Sequence, residues 1–430
     1  MLTYPNIMLT AKKHVLLITS LLLFNACADR PAETDSAPLA GSQPDSEVHR
    51  VTVGAEILIE RHLDELTDRR VGLVMNPTAR IGDVHVLDSL LALDVNITAL
   101  FAPEHGFRGE AGAGELIEDG IDQDSGLPVF SLYGETRKPT PQMLEHVDVL
   151  IFDMQDVGAR FYTYIATLGL VLEAASDAGV PVWVLDRPNP IGGNYVSGWM
   201  MEDEFQSFVG PFPIPIAHGL TMGEIAKMMI GERWIDFENE PDLHVVEMEG
   251  WNRDMRWYQT GLNWVPPSPN LPTFSHAFLY LGTVFFEGTT LSEGRGTDNP
   301  FLTMGDPTTS LSEADIERLQ ALSEQIRVEP VEFTPVSIPG VAPDPKHEGE
   351  VNFGIQVELT GFDFDPVMAG LEMFVTVVRA TSDFEIRSFL YRLTGTTEID
   401  KLLNGEMEVS DLSFDLRDYL LQREPYLLYD

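Results

Sequence analysis

An α/β fold, built as a Rossmann-like, mostly parallel sheet domain followed by a second, smaller α+β domain, is predicted by three observations. Between residues 71 and 190, five short apolar runs of strand character recur, each followed at once by a polar cluster. Helix-period patterns lie between them, and that alternation builds a parallel sheet covered by helices. Near Trp264 the texture breaks at Val265-Pro266-Pro267-Ser268-Pro269-Asn270-Leu271-Pro272, a segment too rich in proline for any regular element.

The runs are Val71 to Met75, then Asn76; Ile97 to Phe101, then Glu104 and His105; Val129 to Leu132, then Tyr133 and Glu135; Val149 to Phe152, then Asp153, Gln155, Asp156 and Arg160; and Val182 to Leu185, then Asp186, Arg187 and Asn189. Strands of an open parallel sheet end on one edge, where α/β proteins bind ligands, so these clusters are expected to converge. Helices are expected over Val84 to Leu93 and Pro141 to Val147. A longer one runs from Arg160 to Ala178, where Phe161, Ile165, Leu168, Leu172 and Ala175 keep helical spacing until Gly179 stops it. Thr221 caps a further helix through Ile230.

The break at 264 divides the folded chain into 51–264 and 265–430. The second part contains an apolar stretch from Ala277 to Phe286 and a glycine-punctuated polar loop from Glu287 to Pro300. A helix from Ser312 to Ile326, a strand-like run from Val351 to Leu359, and helices over Pro366 to Ala380 and Ser388 to Leu393 complete an α+β pattern.

At the N-terminus, Lys12 and Lys13 precede an apolar stretch that stops at Cys27, the only cysteine. The stretch is too short for a permanent span and reads as an export signal over residues 1–27. Its end resembles a bacterial lipobox, which implies lipidation of Cys27 and a periplasmic or cell-surface lipoprotein that meets the membrane only through its lipid. Residues 28–50, rich in Pro, Ser, Asp and Gly, read as a disordered tether. The formal charge of −41 argues against nucleic-acid partners, because an acidic protein repels a phosphate backbone.

Among the clusters, Pro103-Glu104-His105-Gly106 follows a strand directly, where partial enclosure suits Glu104 to act as a general acid. Capping of local backbone is the competing reading. Asp153 and Asp156 are expected near the N-terminus of the long helix, which stabilises carboxylates able to bind sugar hydroxyls. Asp186-Arg187-Pro188-Asn189-Pro190 forms a proline-stiffened binding loop, or a structural turn. Glu287, Glu293 and Arg295 share a glycine-rich loop whose glycines permit close backbone approach to a ligand. Arginines at 80, 108, 137, 160, 187 and 295 suit planar recognition of a carboxylate, although each singly is more often an ion-pair partner. No HExxH, paired CxxC or dense His/Asp cluster occurs, so no metal is expected. No GxxxxGK[ST] occurs and no GxGxxG follows a strand, so no nucleotide cofactor is expected either.

Pro103-Glu104-His105-Gly106-Phe107-Arg108-Gly109, Phe152 to Tyr164, Asp186 to Pro190, and Glu287-Gly288-Thr289 with Ser292 to Thr297 together resemble the NamZ-type, or YbbC-like, exo-β-N-acetylmuramidases over nearly all of residues 55–430. The resemblance implies a glycoside hydrolase with a Rossmann-like domain and a smaller one. Such an enzyme releases N-acetylmuramic acid from non-reducing ends of peptidoglycan fragments, its partners, with Glu104 as the family's catalytic glutamate. Glu293 is the expected second group, with Glu287, Asp153 and Asp156 also open to that role. Substrate contacts are expected from Asn76, His105, Gln155, Asp156, Arg160, Tyr164, Asp186, Arg187, Asn189, Glu287 and Arg295. The rival readings are a surface lipoprotein that binds muropeptides without cleaving them, and a metal-dependent hydrolase of a cell-wall amide.

Overall fold

The computed structural model describes residues 50–109 and 119–430. The signal segment with Cys27 and the tether up to residue 49 lie outside the described residues.

The five apolar runs become β1 (Val71–Met75), β2 (Ile97–Ala102), β3 (Pro128–Ser131), β4 (Val149–Asp153) and β5 (Val182–Leu185), and a sixth strand, β6 (Leu243–Val246), joins them. All six pair in parallel in the order β6-β5-β4-β1-β2-β3, and the two-residue strand Gly120–Ile121 adds an antiparallel edge beyond β3. The chain builds outward from β1 through β2 and β3, then returns to the other side of β1 with β4. That return is the switch point where an open sheet leaves a crevice at its C-terminal edge.

Side chains alternate between two buried faces, as strands covered on both sides require. Val71, Leu73, Met75, Val149 and Ile151 pack into one layer with α1 (Val86–Ala92). Val74, Leu150 and Phe152 face the other, where α2 (Tyr164–Ala178) is buried along nearly its whole length. Gly179 closes α2 in the left-handed conformation, φ 66°. The start of α2 departs from expectation. Residues 154–163 run as an irregular segment ahead of the helix, so Asp156 does not cap it; instead Asp156 Oδ2 accepts from the Gly158 amide at 2.7 Å in a local turn. α3 (Met222–Gly231) begins at Thr221 with a reciprocal capping box to Glu224, as its sequence indicates.

In the second half, α4 (Phe274–Thr283) crosses α5 (Pro366–Arg379) at Gly282 and Gly370. A Cβ at Gly282 would stand 2.7 Å from the Gly370 Cα, so only glycine lets these backbones meet. Three strands, β7 (Thr303–Asp306), β8 (Ile326–Phe333) and β9 (Asn352–Leu359), form an antiparallel sheet in the order β7-β9-β8. The helix expected up to Ile326 ends at Gln320, because Ile326 opens β8; Ile326 and Val328 are buried, with exposed Arg327 between them, a two-residue period. α6 (Phe389–Thr394) follows. One hydrophobic core runs without interruption across the 264–265 junction, from Val74 and Phe152 to Phe285 and Phe374.

Candidate active site

The C-terminal edge of the parallel sheet carries two different environments. Above the switch point the hollow beside Thr78, Arg80, Gln155 and Arg187 is only about 80 Å³. Beyond β2 and β3 a cavity of about 850 Å³ opens, lined by Glu104, His105, Tyr133, Arg137, Phe161, Tyr162 and Thr163 from the sheet side. Its opposite wall is Tyr280, Glu287, Glu293, Arg295, Phe301 and residues 341–346, with Phe389 and Arg392 from α6. The larger hollow has the size of a small-ligand site.

Glu104 is aimed by a tight turn. The Gly106 amide donates to the Pro103 carbonyl at 3.1 Å, and His105 sits at φ 73° in the third position, where glycine or asparagine is usual. Such a conformation costs a β-carbon-bearing residue about 1 kcal/mol or more, a strain commonly kept at functional sites. The Glu104 carboxylate accepts from Thr163 Oγ1 at 2.8 Å, and it also bonds Tyr133, whose hydroxyl is pushed far up by burial and then by Glu104.

Across the cavity, Glu287, Glu293, Arg295 and Lys346 form a buried network. Arg295 donates to Glu287 at 2.5 Å and lies 3.4 Å from Glu293, while Lys346 reaches Glu293 at 2.8 Å. The two acids are driven apart. Burial raises Glu287 above the ordinary carboxylate range despite Arg295, whereas at Glu293 the same burial is overcome by Lys346 and then Arg295, which hold it low. Gly294 and Gly296 keep this loop close to protein rather than to ligand: Cβ atoms there would meet the Thr303 and Val336 carbonyls at 2.4 and 2.5 Å. Tyr280 links the walls, since burial and then Glu287 hold its hydroxyl well up, with Glu104 and Asp156 adding smaller contributions. Carboxyls from both walls therefore act on one hydroxyl.

Five of the residues expected to react or to contact substrate, Glu104, His105, Glu287, Glu293 and Arg295, line this cavity, as does Arg137 from the arginines suited to a carboxylate; the others do not. Arg160 is fully buried and donates to the carbonyls of Trp199, Ile214, Leu393 and Thr394, tying the sheet domain to α6. Arg187 is paired with buried Asp153 and donates to the Arg80 carbonyl. Asp186 accepts from Thr221 Oγ1, the Gly223 amide and the Tyr429 hydroxyl, so it anchors the start of α3. Tyr164 donates to the Pro267 carbonyl at 2.7 Å, and Asn189 braces Leu220 and Ile191. Gln155 donates to the carbonyls of Asp156 and Pro188, and Asn76 accepts from Thr78. Asp156 is buried 3.6 Å from His218 and does not line the cavity.

Sequence reading missed Phe208, Tyr280, Arg392 and the 341–346 segment as cavity walls. None follows a strand of the parallel sheet, so the edge rule does not point to them. Among the described residues, no three His, Cys, Asp or Glu side chains are grouped to hold a metal ion.

Two family models match, the N-terminal part of exo-β-N-acetylmuramidase NamZ over residues 71–275 and its C-terminal part over 278–429. The peptidoglycan β-N-acetylmuramidase NamZ of Bacillus subtilis is 39% identical over 425 residues, covering 96% of this chain and 98% of that protein. Crystal structures of two DUF1343 family proteins from Bacteroides fragilis superpose with a TM-score of 0.74 each, at 34% and 32% identity. They cover 89% and 88% of this chain and 99% of their own.

Proposed function

The chain belongs to the exo-β-N-acetylmuramidase NamZ family, and from that premise we propose that the 850 Å³ cavity binds and hydrolyses a terminal muramyl glycoside. The protein is a glycosidase that releases N-acetylmuramic acid from the non-reducing ends of peptidoglycan fragments. The observation that carries the site assignment is the convergence of carboxyl groups from two walls on one cavity floored by aromatic rings.

Glu104 in its protonated form gives its proton to the glycosidic oxygen as the bond from the anomeric carbon to that oxygen breaks. The departing sugar leaves as an alcohol, and water supplies the hydroxyl at the anomeric carbon while its other proton passes to a carboxylate of the pair, which restores the enzyme's proton count. Glu293, held as an anion by Lys346 and Arg295, assists the sugar cation or the incoming water. Phe161, Tyr162 and Tyr280 supply faces against which a pyranose ring packs, and Thr163 with Tyr133 fixes the Glu104 carboxyl. Glu104→Gln keeps the size and the hydrogen bonds but has no acidic proton to give. It should lower kcat on a muramyl disaccharide by about 10²-fold to 10⁴-fold with an unaltered melting temperature. Near-normal turnover by that variant would remove Glu104 from the reaction.

The proposal extends to location. Lys12 and Lys13, the apolar stretch and Cys27 support export and lipid attachment, which would bring the enzyme to wall fragments outside the cytoplasm. Mass spectrometry of the mature N-terminus should find a lipidated Cys27, and Cys27→Ser should release the protein from membranes; an unmodified or absent Cys27 ends this reading.

A further inference from the structure

N-acetylmuramic acid differs from N-acetylglucosamine by a lactyl ether that carries a carboxylate, so a muramidase needs a cation with charge to spare. Three of the arginines that sequence offered for this role are consumed: Arg160 by four carbonyls, Arg187 by Asp153, and Arg295 by Glu287 and Glu293. Lys346 is likewise held by Glu293 and by the carbonyls of Phe286 and Leu291. Two cations lining the cavity remain, Arg137 and Arg392, and neither makes an ion pair with a carboxylate among the described residues.

In a chain with 68 acidic and 27 basic side chains, the long-range field repels an anion, so recognition depends on arginines that protein acids have not neutralised. Arg137 is also oriented. Its guanidinium carbon lies over the Phe208 ring at 4.4 Å from the centroid, a cation–π contact that involves no carboxylate. Phe208 in turn packs against Tyr133, 6.3 Å between centroids, and Tyr133 bonds Glu104, so the stacked arginine stands on the catalytic wall. Arg392 lines the same cavity, and its neighbour Tyr391 packs on Phe205 at 6.1 Å.

Resting on the muramidase reading above, the geometry points to Arg137, set on Phe208 and seconded by Arg392, as the site that recognises the lactyl carboxylate and selects the muramyl sugar over the glucosaminyl one. Arg137→Ala should raise KM for a chromogenic N-acetylmuramide about 10-fold to 100-fold, the loss of a charge-assisted bidentate contact, while kcat changes less than about threefold. Titration calorimetry on the same variant should show a similar loss of affinity for free N-acetylmuramic acid, with N-acetylglucosamine altered by less than about twofold. Arg137→Lys should recover part of the loss, and Arg392→Ala should show a smaller version of it. If the muramic acid affinity is unmoved, or both sugars weaken together, the assignment to Arg137 fails. Wild-type protein that binds muramic acid selectively through Arg137 yet does not cleave the muramide would instead sink the hydrolase reading and leave the carboxylate site standing.

Discussion

The edge above β1, β4 and β5 and the edge above β2 and β3 are made of the same kinds of residues, yet only the second is open. At the first, Asp153, Arg187, Asp186, Gln155 and Asn189 bond one another, backbone carbonyls and the start of α3, and a hollow of about 80 Å³ remains. At the second, Glu104 faces Glu287, Glu293 and Arg295 across about 850 Å³. Polar clusters at strand ends therefore mark an edge, not a ligand contact. What distinguishes the two is the space left between the groups, about 80 Å³ against about 850 Å³.

That contrast can be broken most forcefully at Asp153. Removing it strands the Arg187 guanidinium, 7% exposed, without its counter-charge. Asp153→Ala should cost about 3–5 kcal/mol of stability in a denaturant titration, the penalty of an uncompensated buried charge. Its kcat per folded molecule should stay far closer to wild type than that of Glu104→Gln. A variant as stable as wild type but as inactive as Glu104→Gln would place the sealed edge within the catalytic centre after all.

A smaller effect tests sealing away from the sheet edge. His276, buried in α4, has its pKa pushed down to about 4 by burial. Between that value and the ordinary one near 6.5 the unfolded chain holds the proton and the folded chain does not. Stability from this group is complete above the ordinary value and is lost as pH falls toward 4, by about 1–3 kcal/mol in all. His276→Gln should flatten the dependence of unfolding free energy on pH between about 6.5 and 4. An unchanged slope would mean that His276 protonates freely in the folded protein.

Much of this fold was legible because its signals are local. β1 and β5 have the bounds their apolar runs mark, and Gly179 and Thr221 delimit helices through conformations that depend only on neighbouring residues. The start of β8 was misread because Ile326 continues the helical spacing of Leu319 and Leu322, and only pairing with β9 reveals the two-residue period of Ile326 and Val328. Glu104, His105, Glu287, Glu293 and Arg295 were reached from the edge rule and the glycine-rich loop, and the cavity joins them. Phe208 and Arg392 carry no such signal, since a lone aromatic or arginine has the same sequence appearance on any surface.

By itself the chain's order of residues determined the alternation that builds the parallel sheet, the ends of its main helices, the family, and three of the acids that line the cavity. Tertiary structure alone decided which arginines were left with charge to offer. An arginine's worth to a ligand depends on the carboxylates and carbonyls within about 4 Å of it, and those partners arrive from segments distant in sequence. Arg160 meets Leu393 and Thr394, while Arg137 lies over the ring of Phe208 and, among the described residues, pairs with no carboxylate.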